Sequence, residues 1–228
     1  MTAEGLGFVR RGLEFSPHPG VNGDVPDPLE LSYPFAGDWL VQNSPADRVP
    51  SHGTPLFATS HAIDFVPVDE RGRSARITWR TLIRPEPPGA FPGFGRPITS
   101  PVDGEVVAVH DGQPDHEAHR GLPSVAYAFT QRQRVAHGWV GLAGNHVLVA
   151  TASGIVVALC HLRRGSIGVV TGQRISAGDP IGACGNSGNS TEPHLHLQAM
   201  DGPDPTSARA VSIRFPDGMP RNGAIVSA

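Results

Sequence analysis

Apolar residues along this 228-residue chain fall in short runs, and most of these runs end at a glycine, a proline or an aspartate. Runs of roughly 4–8 residues rich in Val, Ile, Leu and Phe and bounded by such residues predict strands rather than helices. The first is Gly37-Asp38-Trp39-Leu40-Val41-Gln42-Asn43, and the second is Ala62-Ile63-Asp64-Phe65-Val66, a buried strand with a carboxylate inside it. The run from Ile98 to Val109 reads as strand, Asp103-Gly104 turn, strand, because glycine accepts the positive φ that such turns need. A second hairpin is expected from His146–Ala150 and Ile155–Leu162 around Ala152-Ser153-Gly154. Short strands broken by glycines follow over 172–182, and Glu192–Met200 forms the last clear strand. Two stretches interrupt this pattern. Residues 69–94, dense in charge and proline, read as a looped insertion with one short strand near Ile77–Leu82. Residues 111–143 form a second insertion, containing Tyr127, Phe129 and Trp139, whose pattern fits helix and loop equally. Met1 to Ser32 lacks sustained periodicity and reads as an arm.

Composition agrees with the patterning. With 28 Gly and 23 Pro against 17% charged residues, many short strands joined by turns are favoured, and the expected class is all-β. The length suits a single core with decorations. The chain therefore divides into residues 1–45 (arm and first strand), a main domain over 46–205 with insertions at about 69–94 and 111–143, and a tail over 206–228. A formal net charge of -3 leaves no broad basic footprint, which argues against nucleic acid and anionic membrane as partners and for a small or peptidic substrate. No run of about 18 apolar residues suggests a membrane span, and Met1 to Gly20 lacks the apolar core of a signal peptide, so the chain reads as soluble and not visibly addressed for export. Cys160 and Cys184 are too few for a disulfide framework; they read as free buried thiols, with a single bridge between them as the alternative.

The chemistry concentrates in His194-Leu195-His196. Side chains alternate along a strand, so the two imidazoles share one face, with Cα atoms about 6.6 Å apart, while Leu195 and Leu197 take the other. By the same period His161 shares a face with Leu159 and Val157, an odd place for an ionisable ring unless a site uses it. Asp64, between Ile63 and Phe65, is costly to bury unless it is paired or coordinates a cation.

Taken in order, Asp64-Phe65, Ser100-Pro101-Val102-Asp103-Gly104-Glu105-Val106-Val107, Cys160-His161-Leu162, the glycine-bounded stretch 172–182 leading to Cys184-Gly185-Asn186-Ser187-Gly188, and Pro193-His194-Leu195-His196-Leu197 resemble the lysostaphin/LytM-type zinc endopeptidases of the murein-hydrolase family. The resemblance covers roughly residues 50 to 200. It implies an antiparallel β-sheet groove of the duplicated hybrid-motif kind, a Zn2+ ion held by a His, an Asp and the second His of His-x-His, and peptidoglycan peptide as substrate. Carried over, Asp64 and His196 are metal ligands, and His161 and His194 are catalytic. The family places its first ligand His four residues before the Asp, where this chain has Ser60. His52, in Ser51-His52-Gly53, is the preferred substitute and His61 the alternative. A zinc ion with three protein ligands keeps a position for water and substrate, and with no His-Glu-x-x-His in the chain, histidines must handle the proton and the oxyanion.

Other readings remain. A degenerate domain of the same fold that binds cell wall or regulates another hydrolase is kept open by Ser60. A sugar-transport phosphocarrier also combines such a hairpin with paired histidines. Substrate in the wall would place the protein outside the cytoplasm, against the missing export signal. His116 and His119 have one-turn helical spacing and read as a solvated face, His146 as structural, and residues 186–191 as a tight loop.

Overall fold

The computed structural model describes residues 27–124, 136 and 138–228. Its strands are β1 (Leu29–Glu30), β2 (Asp38–Gln42), β3 (Ile63–Pro67), β4 (Pro97–Thr99), β5 (Gly104–His110), β6 (Asn145–Ala150), β7 (Val156–Leu162), β8 (Arg174–Ile175), β9 (Pro180–Ala183), β10 (Leu195–Met200), β11 (Ala210–Val211), β12 (Ile213–Arg214) and β13 (Ile225–Ser227). Among the described residues the chain is all-β, with little helix. One antiparallel sheet runs β13-β2-β3-β10-β7-β6-β5-β8, with β11 added beside β10. Segment 1–45 thus lends β2, and segment 206–228 lends β11 and β13, to the sheet of the central unit. None of the described helices is long and apolar enough to cross a membrane.

Alternation along the strands explains the two layers. Trp39 and Val41 of β2, Ile63 and Phe65 of β3, Leu195 and Leu197 of β10, and Val157 and Leu159 of β7 point to one side, where Leu31, Phe35, Ile98, Ile181 and Phe215 close the main core. The opposite side carries a smaller cluster of Leu148, Val156, Ala158, Cys160 and Met200 beneath Ala58 and Ala143. Ala58 belongs to a 3-10 segment, Leu56–His61, and Ala143 to a short helix, Gly138–Ala143. Asp64, His194 and His196 line a cleft with Cys160 on this second side.

Three local readings are corrected. The Ile98–Val109 run is not a hairpin, because β4 pairs with β9 while β5 pairs with β6 and β8. Pro101 interrupts the run, and the Ser100 backbone N–H and hydroxyl are spent on Asp179 O and Val102 O, so the chain crosses between sheets there. No strand forms over Ile77–Leu82, where Ile77 and Trp79 stay exposed and Leu82 and Ile83 make turn bonds to Thr78 and Arg80. The arm expected over 1–32 falls outside the described residues as far as 26, but its end is bound, with β1 parallel to β12 and Leu31 in the core. Tyr127 and Phe129 also fall outside the described residues. The β6–β7 hairpin forms as expected, and both cysteines are free and buried.

The two insertions, read separately in the sequence, are joined to each other. Glu86 and Ala118 exchange backbone bonds of 2.9 and 2.7 Å, and Arg120 donates to both oxygens of Glu86 at 2.9 Å. Ala75, Phe91 and Ala118 form a small core beside this pair, with the Arg120 guanidinium over the Phe91 ring.

Candidate metal centre and active site

Asp64 is the second residue of β3, with its side chain away from the main core, and β10 places His196 directly opposite it. Their side chains meet at 2.9 Å, His196 Nδ1 to Asp64 Oδ1. The other carboxylate oxygen meets His52 Nε2 at 3.1 Å and accepts from Asn43 Nδ2 at 2.7 Å. Asn43, the residue after β2, has a left-handed φ of 50°. The ligand atoms of His52, Asp64 and His196 all lie within 4.8 Å of one another.

His52 comes from a loop twelve residues before Asp64, and a single backbone bond explains its arrival. Ser51 N donates to Ser60 O at 3.0 Å, so the loop folds back on the segment that leads into β3. Ser60, the position that the family pattern gives to histidine, thus lies beside the loop that carries His52. His61 closes the 3-10 segment and is not part of this group.

His194 precedes β10 rather than lying within it, and its Nε2 stands 3.9 Å from Asp64 Oδ1. His161 reaches the site by a route that period-two reasoning does not give. In β7, Cys160 and His161 together face the single residue His146 of β6, since the pairs on either side are Asn145–Leu162 and Val147–Leu159. This bulge holds His161 at a φ of 62°. It returns Leu162 to the main core and turns His161 to the side of Cys160, so the expectation that His161 shares the face of Leu159 and Val157 is corrected. The His161 ring then stands 4.6 Å, centroid to centroid, from that of His194 and 5.8 Å from that of His196.

The loop after β9 anchors these rings. His161 Nδ1–H donates to Ser187 O at 2.9 Å, and His194 Nδ1–H donates to Glu192 O at 2.8 Å. Both leave Nε2 turned towards the site. Ser187, fully buried, accepts from Asn145 N and donates to Leu162 O, while Ser190 donates to Glu192 O. Gly188 takes a φ of 74° where a Cβ would collide with the backbone of Gly144. The stretch 186–191 is therefore a positioning loop whose Asn189 and Thr191 also line the cleft.

Burial by itself would raise the proton affinity of Asp64, but the neighbouring His52 and the hydrogen bonds with His196 and His52 hold its carboxyl well below the usual range. Burial pushes His161 well below its ordinary value, and neighbouring His194 and His196 add to this. The Cys160 thiol lines the same cleft, but burial and then the Asp64 charge push it far up, so it keeps its proton and is no nucleophile. The cleft has a volume of about 330 Å³, and Leu56, Phe57, Trp139 and Leu142 form its apolar wall.

Two imidazole nitrogens and one carboxylate oxygen converge here from a half-buried loop and two buried strands, a group that could hold a metal ion. The chemistry of the donors fits such an ion. Sequence reasoning had no means to find Asn43 or Glu192 at this site, since nothing local distinguishes them, whereas Ser187 lies in the loop 186–191 that the sequence had already singled out. His116 and His119 are not on a helix. They lie in an extended stretch, where the ring of His116 contacts Gly188 O at 3.0 Å. His146 is buried and bonded to Gly144 O at 2.7 Å, as expected of a structural histidine.

Comparison with known proteins gives a consistent picture. Residues 91–208 match the model of Peptidase family M23, a span that holds His161, His194 and His196 and begins after His52 and Asp64. Over 79 residues the chain is 33% identical to the peptidoglycan DD-endopeptidase ShyA of Vibrio cholerae serotype O1, an overlap of 35% of this chain and 18% of that protein. The chain thus spans less than a fifth of that curated relative. Among solved structures it is similar to the catalytic domain of the prophage-encoded M23 protein EnpA from Enterococcus faecalis (18% identity, 87% of this chain and 94% of that one, TM-score 0.40). It is also similar to the catalytic domain of the antimicrobial peptidase lysostaphin from Staphylococcus simulans (18% identity, 69% and 80%, TM-score 0.38).

Proposed function

The chain belongs to peptidase family M23, and from that premise we propose that it is a zinc-dependent endopeptidase cutting peptide bonds in the stems or cross-bridges of bacterial peptidoglycan, and so acting outside the cytoplasm. The observation that carries this reading is the convergence of His52, Asp64 and His196 in the same cleft as His161 and His194. His52, Asp64 and His196 hold the ion, and His161 and His194 handle protons.

Zinc bound there supplies Lewis acidity and brings the ionisation of a water towards about pH 7. The remaining work falls to the protein. The Nδ1–H bonds to Ser187 O and Glu192 O fix the neutral rings of His161 and His194 with Nε2 unprotonated and facing the cleft. One Nε2 takes the proton of the attacking water and gives that same proton to the leaving amine as the C–N bond breaks, while the other ring, having taken a proton from solvent before the attack, donates a hydrogen bond to the oxyanion that forms on the scissile carbonyl and keeps its proton. The apolar wall of Phe57, Trp139 and Leu142 excludes water from one flank and seats the peptide.

The test combines metal content with clearing of purified peptidoglycan suspensions. Zinc near one per chain is expected in the wild type and in His61→Ala, and little in His52→Ala or Asp64→Ala. His161→Ala and His194→Ala should keep the metal and lose roughly 100-fold or more in rate. Metal-free wild-type protein, or full rate in either catalytic variant, defeats the proposal.

A further inference from the structure

His196 differs from the other three histidines of the site in which ring nitrogen it turns inward. His161 and His194 donate Nδ1–H to carbonyls, and His52 Nδ1 bonds the Ser51 hydroxyl at 3.0 Å, so all three present Nε2. His196 presents Nδ1, and its Nε2 lies 2.9 Å from Gln198 Oε1. Gln198 is completely buried two residues further along β10, on the same face. Its amide orientation is set from the far side, because Nε2 donates to Phe57 O at 2.8 Å. Turned over, the amide would set its oxygen against that carbonyl and its NH2 group against the ring, leaving Phe57 O without this donor. In the observed orientation Gln198 offers His196 only an acceptor, which only a proton on Nε2 satisfies.

A neutral imidazole with its proton on Nε2 has a bare lone pair on Nδ1, and that lone pair faces Asp64 Oδ1 at 2.9 Å. Two acceptors at this distance require a cation between them: in metal-free protein a proton on Nδ1, which Asp64 accepts, and in loaded protein the metal ion in its place. Without Gln198, the ring would instead place its single proton on Nδ1, where the carboxylate accepts it, and the nitrogen needed by the metal would be blocked. Building on the metal-centre reading above, we propose that Gln198 is a positioning residue that sets the His196 tautomer and keeps Nδ1 available as a ligand. Phe57 takes part through its backbone carbonyl. It reaches Gln198 because Phe57 and Ala58 both adopt left-handed φ values, 56° and 60°, inside the 3-10 segment. This ties the tautomer to the conformation of the segment that also forms the apolar wall of the cleft.

The experiment has one arm with metal and one without. In zinc competition against a chelator, Gln198→Leu, which keeps the volume and removes the acceptor, should weaken binding about 10- to 100-fold. Gln198→Glu, which restores an acceptor for Nε2–H, should recover most of that loss, whereas a purely packing role predicts no such rescue. In the second arm, long-range 1H–15N spectra of the metal-free wild type are recorded. A His196 Nε2–H protected from exchange by Gln198 should be observed, and in Gln198→Leu that protection should be lost. Absence of a protected Nε2–H in the wild type overturns the inference even if no variant folds. Equal zinc affinity and equal spectra in wild type and Gln198→Leu also overturn it. Wild type that binds no zinc would defeat the metal-centre reading alone, since the ring-proton spectrum needs no metal.

Discussion

At the scale of single residues the site is governed by the cost of burying charge. His161 is buried where its proton affinity falls well below the ordinary value of 6.5, so between that value and its folded pKa the unfolded chain binds a proton that the folded chain does not. Stability must therefore rise with pH across this window and fall as pH drops through it. His61 and His146, also lowered by burial, act in the same direction and window. Asp64 contributes stability that is complete above the ordinary carboxyl value of 3.8 and is lost only as pH falls through its lower folded value, so its effect is separate. Metal-free protein should show a falling thermal midpoint from pH 7 to pH 5, and His161→Gln should flatten part of that slope. An unchanged slope in the variant would mean that His161 is charged in the fold. A buried Asp64 and a patterned His194-Leu195-His196 were legible in the sequence because each breaks or obeys a rule that acts over a few residues. Asn43 and Gln198 were not, because their importance lies in what they touch.

At the scale of elements, the bulge in β7 decides whether His161 serves the core or the site. A residue at φ 62° is strained unless it is glycine, and most so if β-branched. His161→Val should therefore be less stable than His161→Gly by about 1–2 kcal/mol, although valine fills more of the space. Denaturant midpoints of the two variants check this, and the reverse order would mean that β7 runs straight. The insertions make a second case. Glu86, buried against Arg120, loses its only ion-pair partner among the described residues in Arg120→Ala, which should cost about 3 kcal/mol. Arg120→Lys should recover only part, since a single ammonium cannot reproduce the two parallel bonds to Glu86. The β6–β7 hairpin was readable because its strands are neighbours in sequence. The false hairpin at Ile98–Val109 was not excluded, because strand runs flanking an Asp-Gly step look the same whether they pair with each other or with β9 and β6.

For the whole molecule, the site ties together parts of the chain that are far apart, so occupancy should stabilise the fold as a unit. Zinc at a hundred times its dissociation constant should add about 2.7 kcal/mol. The thermal midpoint of wild type should rise accordingly, while that of Asp64→Ala stays put; a rise in both would place the metal elsewhere. The order of the chemistry along the chain, the all-β class and the side of β3 and β10 that bears the polar groups were determined by the sequence alone, since side-chain alternation and the cost of a buried carboxylate are local physics. Which histidine meets Asp64 was decided only by tertiary structure. The bond from Ser51 to Ser60 brings in His52 in place of His61, and one extra residue in β7 turns His161 towards the site. Loop closure and strand register depend on the energies of the whole packed sheet, and no short window of sequence contains them.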